Sequence, residues 1–223
     1  MKKIFKFISV ILVFILLFSL GCNKVNPLYE RVSELRLDLF SGKSESFSLS
    51  ANYGFREEPY LNDGEVGNKI YLLTFHILDD NLDGAEYEIS FDYKGQSYQS
   101  AFKLNPISHK KTVSFEVENF SEKEFTVTVF GNGKSEAVTL TSILPKNTIS
   151  YQKALDCLYD EQKELIEFYQ DKNGSFNAEI NVRILVKNDK PYYYVGIASG
   201  NEKLKALLID GISGKVLAIR EIF

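Results

Sequence analysis

From about residue 33 to residue 141, hydrophobic and polar residues alternate with a period of two. In ELRLDLF, Leu35, Leu37 and Leu39 alternate with charged residues, and five later runs repeat the pattern. Such alternation is typical of strands that bury one face and expose the other. One further run, residues 69–78, is apolar at both parities, as expected of a strand in the middle of a sheet. This part of the chain therefore predicts β-structure.

Short turn signals separate these runs. Seven or eight strands in about 110 residues, without a helical pattern, predict a two-sheet antiparallel β-sandwich over residues 33–144. We expect an immunoglobulin-like arrangement, although the chain has no Trp and therefore lacks the Cys–Trp–Cys core of true immunoglobulin domains. The turn signals are Ser41-Gly42, Asn62-Asp63-Gly64, Asp83-Gly84, Lys94-Gly95 and Gly131-Asn132-Gly133.

The period changes to 3.6 after Pro145. From Tyr151 to Tyr169 the apolar residues fall on one helical stripe, Ser150 or Thr148 is placed to cap the helix, and Gly174 follows as a left-handed terminator. Three or four alternating strands follow. One helix on an antiparallel sheet is predicted for residues 145–223, so the fold class is all-β plus α+β.

The chain closes on a predicted β-hairpin. Asp210 is placed to accept hydrogen bonds from backbone amides of the turn, and Gly211 and Gly214 allow positive φ there. We expect the side chains on the Ile219 and Phe223 side of the last strand to face the helix, so that losing either residue would loosen the sheet.

This second unit resembles the PepSY domain. The resemblance rests on ISYQKAL at the start of the helix, on the strand YYYVGI, and on ALLIDGISGKVLAIRE, in which Asp210, Gly214, Lys215, Val216 and Leu217 occupy the family's turn positions. The match covers roughly a third of the chain, and the long charged helix departs from the family. The resemblance implies a secreted or membrane-attached bacterial protein, in a family linked to restraint of secreted peptidases.

The first 21 residues are predicted to be a signal peptide. Three lysines precede an apolar run of 14 residues, from Phe7 to Leu20, which is shorter than the roughly 20 residues that span a bilayer. Gly21 before Cys22 resembles the lipobox of bacterial lipoproteins, although Ser19 stands where an aliphatic residue is usual. The resemblance implies that Cys22 is acylated, with residues 22–32 as a tether; a plain signal peptide and an uncleaved anchor are the alternatives.

Charge and motifs narrow the function. The net charge is −4, and three of the positive charges lie in the first 21 residues, so the remainder carries −7. An acidic chain argues against nucleic acid and against electrostatic docking on anionic lipid. His76 and His109 fit no metal-ligand spacing, Cys157 reads as a small core residue, and no catalytic motif is present. We therefore expect no enzymatic activity.

Two polar segments of the sandwich are candidate sites. Asp79, Asn81, Asp83 and Gly84 have the 1-3-5-6 spacing that converges oxygen ligands on Ca²⁺, but the twelfth position is Ser90 in place of glutamate. The same residues also suit an ordinary turn. The long loop at residues 56–68 offers Glu57, Glu58, Asp63 and Glu65 to a partner or cation, or is an ordinary surface loop.

The third candidate is the run Tyr192, Tyr193 and Tyr194. Because a strand alternates its faces, at most two of these rings share one side. They either pack in the core or dock a peptide on an exposed sheet face. The sequence thus predicts a non-catalytic, lipid-anchored protein on the extracytoplasmic face of a bacterial membrane that binds a protein or peptide partner and has no cofactor. A secreted peptidase is one candidate partner. The alternative is a solute- or calcium-dependent surface-binding lipoprotein that acts through the sandwich loops.

Overall fold

A computed structural model of the chain describes residues 26–61, 65–78, 86–106, 110–131, 133–200 and 204–222. Within these ranges thirteen strands and two α-helices confirm the prediction of a β-rich chain with few helices, and neither helix is long and apolar enough to cross a membrane. The strands are β1 (Val32–Lys43), β2 (Ser48–Glu58), β3 (Asn68–Leu78), β4 (Tyr87–Tyr93), β5 (Gln96–Ala101), β6 (Lys103–Leu104), β7 (Lys111–Glu116), β8 (Glu124–Gly131), β9 (Lys134–Ser142), β10 (Glu179–Lys187), β11 (Lys190–Ala198), β12 (Leu204–Asp210) and β13 (Val216–Ile222), and the helices are α1 (Tyr151–Glu161) and α2 (Lys163–Phe168).

The N-terminal region consists of two antiparallel layers around one core. One layer has the order β1-β2-β3-β7-β6 and the other the order β9-β8-β4-β5, with a short β1–β9 pairing that joins them. The alternating apolar residues of both layers meet in this core. Fully buried examples are Leu49, Leu73 and Phe75 from the first layer and Ile89 and Leu140 from the second.

The C-terminal region packs α1 on a four-stranded antiparallel sheet, β10-β11-β12-β13. Ala154, Leu155 and Leu158 of the helix are fully buried in a second core, together with Val182 and Val195 of the sheet. Burial of one apolar face of each element is the physical reason for this two-layer arrangement.

The two regions share a single sheet through β1. This strand pairs with β2 on one side and runs parallel to β10 on the other, so nine strands follow in the order β13-β12-β11-β10-β1-β2-β3-β7-β6. Its first half contributes Val32 and Leu35 to the second core, and Phe40 belongs to the first. A register shift between Arg36 and Asp38 separates the two halves. The units predicted to divide near residue 145 are thus joined by backbone hydrogen bonds.

Gly54 makes this junction possible. A Cβ added there would lie 1.7 Å from the carbonyl oxygen of Leu35, so β2 approaches β1 too closely for any side chain. Glycine is therefore needed at this position, because the backbones of β1 and β2 approach closely beside the register shift.

Residues 26–31 belong to the folded unit, although the sequence placed them in a tether. Residues Pro27–Arg31 form a 3-10 helix in which Leu28 is fully buried, and the Asn26 amide donates to the Leu155 carbonyl (3.2 Å) and to the Asp156 carboxylate (3.1 Å). A segment with one buried leucine carries no periodic signal, which explains why the pattern did not predict it.

The predicted helix is broken and shorter than expected. Gln162, with φ −120° and ψ 48°, separates α1 from α2, and α2 ends at Phe168. Gly174 has the expected positive φ of 79°, but it lies in a separate turn. In that turn the Asp171 carboxylate accepts hydrogen bonds from the Asn173 and Ser175 amides.

The closing hairpin follows the prediction in its turn and departs from it in its last strand. Asp210 accepts from the amides of Ile212 (3.0 Å) and Ser213 (2.7 Å), and Gly214 has φ 78°. Gly211 does not take the positive φ expected of it; it is required for space, since an added Cβ would lie 2.7 Å from the Pro191 oxygen. β13 is an edge strand, and the Ile219 side chain is 45% exposed, so its expected burial was wrong. Phe223 lies outside the described residues.

Candidate partner-binding face

The three consecutive tyrosines of β11 are divided between the two faces of the sheet. Tyr193 points into the second core, is 2% exposed, and donates its hydroxyl to the Ile149 carbonyl at 2.6 Å. Burial raises the pKa of Tyr193 to about 12, with a smaller contribution from Asp38. Tyr192 and Tyr194 lie on the opposite face and are half-buried. Only this pair is placed to meet a partner.

Cross-strand neighbours continue the surface around Tyr192 and Tyr194. Tyr194 lies opposite Leu208 of β12 and Arg183 of β10. Tyr192 lies opposite Leu185, which is 48% exposed, on one side and opposite Asp210, at the end of β12, on the other. Residues directly opposite in a ladder share one face. Because α1 packs on the other face, these rings and aliphatic side chains form an open apolar area. We call it, with the arginines described next, the open face.

Three arginines extend the open face across the junction of the two regions. Arg183 of β10 lies opposite Arg36 of β1, and Glu34 of β1 lies opposite Arg56 of β2. Glu34 is almost fully buried and accepts hydrogen bonds from Arg36 and from Nη2 of Arg183 (2.9 Å). The three guanidinium side chains remain 42–48% exposed. Glu34 therefore orients two of the arginines, and the group keeps excess positive charge.

A polar groove of about 430 Å³ adjoins the arginines on the same side of the sheet. Asn52 and His76 contact each other at 3.1 Å, and the hydroxyls of Thr74 and Ser114 are 2.8 Å apart. Burial lowers the pKa of His76 to about 4, and the charges of Lys110 and Arg36 add to the effect. His76 is therefore neutral at pH 7, and the groove takes its positive charge from arginine and lysine.

The loop after β2 borders the open face. The Tyr60 hydroxyl reaches Asn181 of β10 at 3.4 Å, while the ring stays 48% exposed. Glu57, one of the predicted contact residues, is turned inward and accepts a hydrogen bond from the Gly67 amide at 2.8 Å. Glu58 lies 3.5 Å from Arg56. Of the other predicted contact residues, Asp63 lies outside the described residues, and Glu65 already interacts with another residue of the chain.

Most residues of the remaining sequence-based sites lie outside the part of the chain that the structure describes. Asp79, Asn81 and Asp83 lie outside the described residues, as do Cys22 and His109. Within the described part of the chain, no group of three His, Cys, Asp or Glu residues is placed to hold a metal ion. Cys157, expected to be a core residue, is only partly buried and packs beside Gly214, where an added Cβ would lie 2.5 Å from its sulfur.

Sequence reasoning found the tyrosines and missed the arginines. Arg36 and Arg183 are 147 positions apart and meet only because β1 pairs with β10. The alternation of each strand, taken alone, places them on an outward face but gives no sign that they meet.

Comparison with known proteins gives no relative. No family model matches the chain, and neither a curated protein nor a solved structure matches it.

Proposed function

We propose that the chain is a non-catalytic, lipid-anchored protein of a bacterial envelope that binds a protein or peptide partner through the open face. The observation that carries this proposal is the combination of partly exposed tyrosine and arginine on one continuous surface, namely Tyr192, Tyr194, Arg183, Arg36 and Arg56. Tyrosine and arginine are the residue types that contribute most to binding energy at protein interfaces.

Charge complementarity favours an acidic partner segment. The chain as a whole is acidic, whereas the arginine group and the groove beside it carry four cations against two carboxylates. The cations are Arg36, Arg56, Arg183 and Lys110, and the carboxylates are the buried Glu34 and the exposed Glu58, which lies 3.5 Å from Arg56. Arginine binds carboxylates in a planar two-point geometry, which gives orientation as well as attraction. A partner with one or more carboxylates flanked by apolar side chains would match the adjoining arginine and tyrosine areas.

The short link to Cys22 supports a function at the membrane surface. If Cys22 carries lipid, only residues 23–25 separate it from Asn26, which is hydrogen-bonded to α1. Four residue steps span at most about 14 Å, so the folded unit would be held next to the bilayer. The partner would then be another envelope protein or a secreted one that approaches the membrane.

The resemblance to the PepSY domain makes a secreted peptidase one candidate partner. A helix on a four-stranded antiparallel sheet agrees with that resemblance, and the two-layered N-terminal region agrees with an immunoglobulin-like sandwich. Restraint of a peptidase would need only a contact surface that covers the enzyme's substrate site. Such contact agrees with a binding function without chemistry.

The polar groove favours a second candidate, a solute-binding lipoprotein. Its hydroxyl and amide side chains suit a polar molecule, and a volume of about 430 Å³ is within the range of small-ligand sites. A calcium-dependent form of this function would act through Asp79, Asn81 and Asp83. In that case Ca²⁺ raises the melting temperature, and Asp83→Ala abolishes the rise.

Affinity capture from envelope extract tests the leading proposal. The full-length tagged chain is compared with Leu185→Glu and with the control Leu104→Glu, which changes a 60% exposed leucine on the distant strand β6. We expect the wild type and the control to retain the same partner and Leu185→Glu to lose it. Equal recovery by all three proteins would contradict the proposal.

A further inference from the structure

A second cavity lies on the helix side of the sheet, where the connection from β9 enters α1. Its volume is about 690 Å³. The floor is formed by Leu37 of β1, Ile184 of β10 and Tyr193 of β11, and the walls include Leu144 and Ile149 of the connection. We call this cavity the junction cleft, because it lies between the sandwich and the helical layer.

The floor of the junction cleft is apolar and held in place. Ile184 and Tyr193 are both 2% exposed and belong to the second core. The hydrogen bond from Tyr193 to the Ile149 carbonyl fixes the ring against the connection. A cleft with a preformed apolar floor binds a hydrophobic group without first ordering its own side chains, which lowers the entropic cost of binding.

The rim of the junction cleft has more positive than negative charge. Lys123 and Lys146 line it with one acid, Asp38, and Lys123 lies 3.2 Å from that carboxylate. Because Asp38 balances the charge of Lys123, Lys146 is the excess cation of the rim. The Ser142 hydroxyl and the Gln152 amide complete the rim together with Thr141, whose hydroxyl donates to Glu124 at 3.2 Å.

The start of α1 adds positive potential at the same rim. Ser150 accepts the Lys153 amide at 3.2 Å, and the first turn contains no acidic residue. In the part of the chain that the structure describes, the amides of Tyr151 and Gln152 have no acceptor. Unpaired amides at a helix start favour a negative group nearby.

We propose that the junction cleft binds the carboxy-terminal residue of a peptide that ends in a hydrophobic side chain. The side chain occupies the apolar floor, and the carboxylate lies beside Lys146 and the start of α1. The hydroxyl and amide groups of the rim favour a peptide over a fatty acid, because a peptide backbone offers hydrogen-bonding groups next to its terminal carboxylate. This proposal does not depend on the open face.

Fluorescence anisotropy tests the proposal with the full-length chain in lipid nanodiscs. The probe is fluorescein-labelled Ala-Ala-Ala-Leu with a free carboxylate, and the comparison peptide is the same sequence with a terminal amide. We expect the free acid to bind and the amide to bind at least tenfold more weakly. Lys146→Gln should weaken binding of the free-acid peptide several-fold. The control Lys134→Gln, which changes an exposed lysine of β9, should leave that binding unchanged. Ser142→Trp should block the cleft.

Three results would overturn the proposal. These are absence of binding by the free acid, equal binding of acid and amide, and equal effects of the Lys146 and Lys134 changes. In the first case, binding of a fluorescein-labelled decanoate would assign the cleft to a fatty acid instead. Because the acid–amide comparison uses the unaltered protein, the test does not depend on whether Ser142→Trp folds.

Discussion

The two faces of the C-terminal sheet are built from the same strands and have opposite compositions. On the helix side, Val182, Tyr193 and Val195 are buried against α1. On the open side, Arg183, which follows Val182, and Tyr194, which follows Tyr193, remain partly accessible. Neighbouring residues of one strand therefore serve different purposes, and changes at adjacent positions should affect either stability or binding.

The largest contrast is expected between Tyr193→Ala and Tyr194→Ala. Loss of the buried Tyr193 ring leaves a cavity and removes the hydrogen bond to Ile149, so we expect the free energy of unfolding to fall by about 3–5 kcal/mol. Tyr194→Ala should lower it by about 1 kcal/mol or less, since the ring is packed on one side only. Urea denaturation measures both values. Equal losses would contradict the division of the faces.

The junction of the two regions provides the next largest effect. Gly54→Ala should destabilise the chain by about 1–3 kcal/mol or more, because the new Cβ meets the Leu35 carbonyl at 1.7 Å and must push β2 away from β1. Gly67→Ala is the matched control, with its Cβ at an ordinary 3.6 Å from Glu57. Thermal unfolding of both variants distinguishes them, and similar melting temperatures would argue against the close approach.

The groove on the open face should make stability depend on pH. The pKa of His76 is about 4 in the folded chain, below its ordinary value of 6.5, so the unfolded chain binds the proton more tightly. The contribution of neutral His76 to the free energy of unfolding is fully present above pH 6.5 and is lost as the pH falls toward 4. Partial exposure limits the loss to about 1–2 kcal/mol. Denaturation at pH 4 to 7 should show this slope, and His76→Gln should reduce it.

The smallest effect concerns the hairpin turn, where Asp210 lies opposite Tyr192. Hydrogen bonds from the Ser213 amide and hydroxyl lower the pKa of Asp210, with a further contribution from the Ile212 amide. A lowered folded pKa contributes stability above the unfolded pKa, and this contribution is lost as the pH falls through the folded value. The site is exposed, so we expect less than about 1 kcal/mol. Comparing the free energies of unfolding of Asp210→Asn and the wild type as the pH falls below 5 measures this contribution. A stability difference between the two proteins that does not change with pH would contradict the role given to Asp210.

The sequence predicted local features well, because alternation and turn chemistry depend on neighbouring residues. It predicted that the tyrosines of β11 divide between faces, that Asp210 holds the closing turn, and that Gly214 takes a positive φ. Each of these follows from a few adjacent residues.

The sequence did not predict features that depend on distant pairing. The parallel contact of β1 with β10 brings Glu34 to Arg183, and nothing near either residue indicates it. The burial of Leu28 was missed because it depends on packing against distant residues, and the break at Gln162 has no signal in the helical pattern. The open face and the junction cleft both lie at this junction, so neither was visible as a whole.

Photocrosslinking in living cells tests the binding function of the open face most directly. A photoreactive phenylalanine analogue is placed at Leu185, and in a control chain at Phe130, which is 39% exposed on the distant strand β8. We expect a discrete crosslinked partner from position 185 and none from position 130, and Arg56→Glu should reduce the yield of the product from position 185. Equal crosslinking from both positions, or none from position 185, would contradict it.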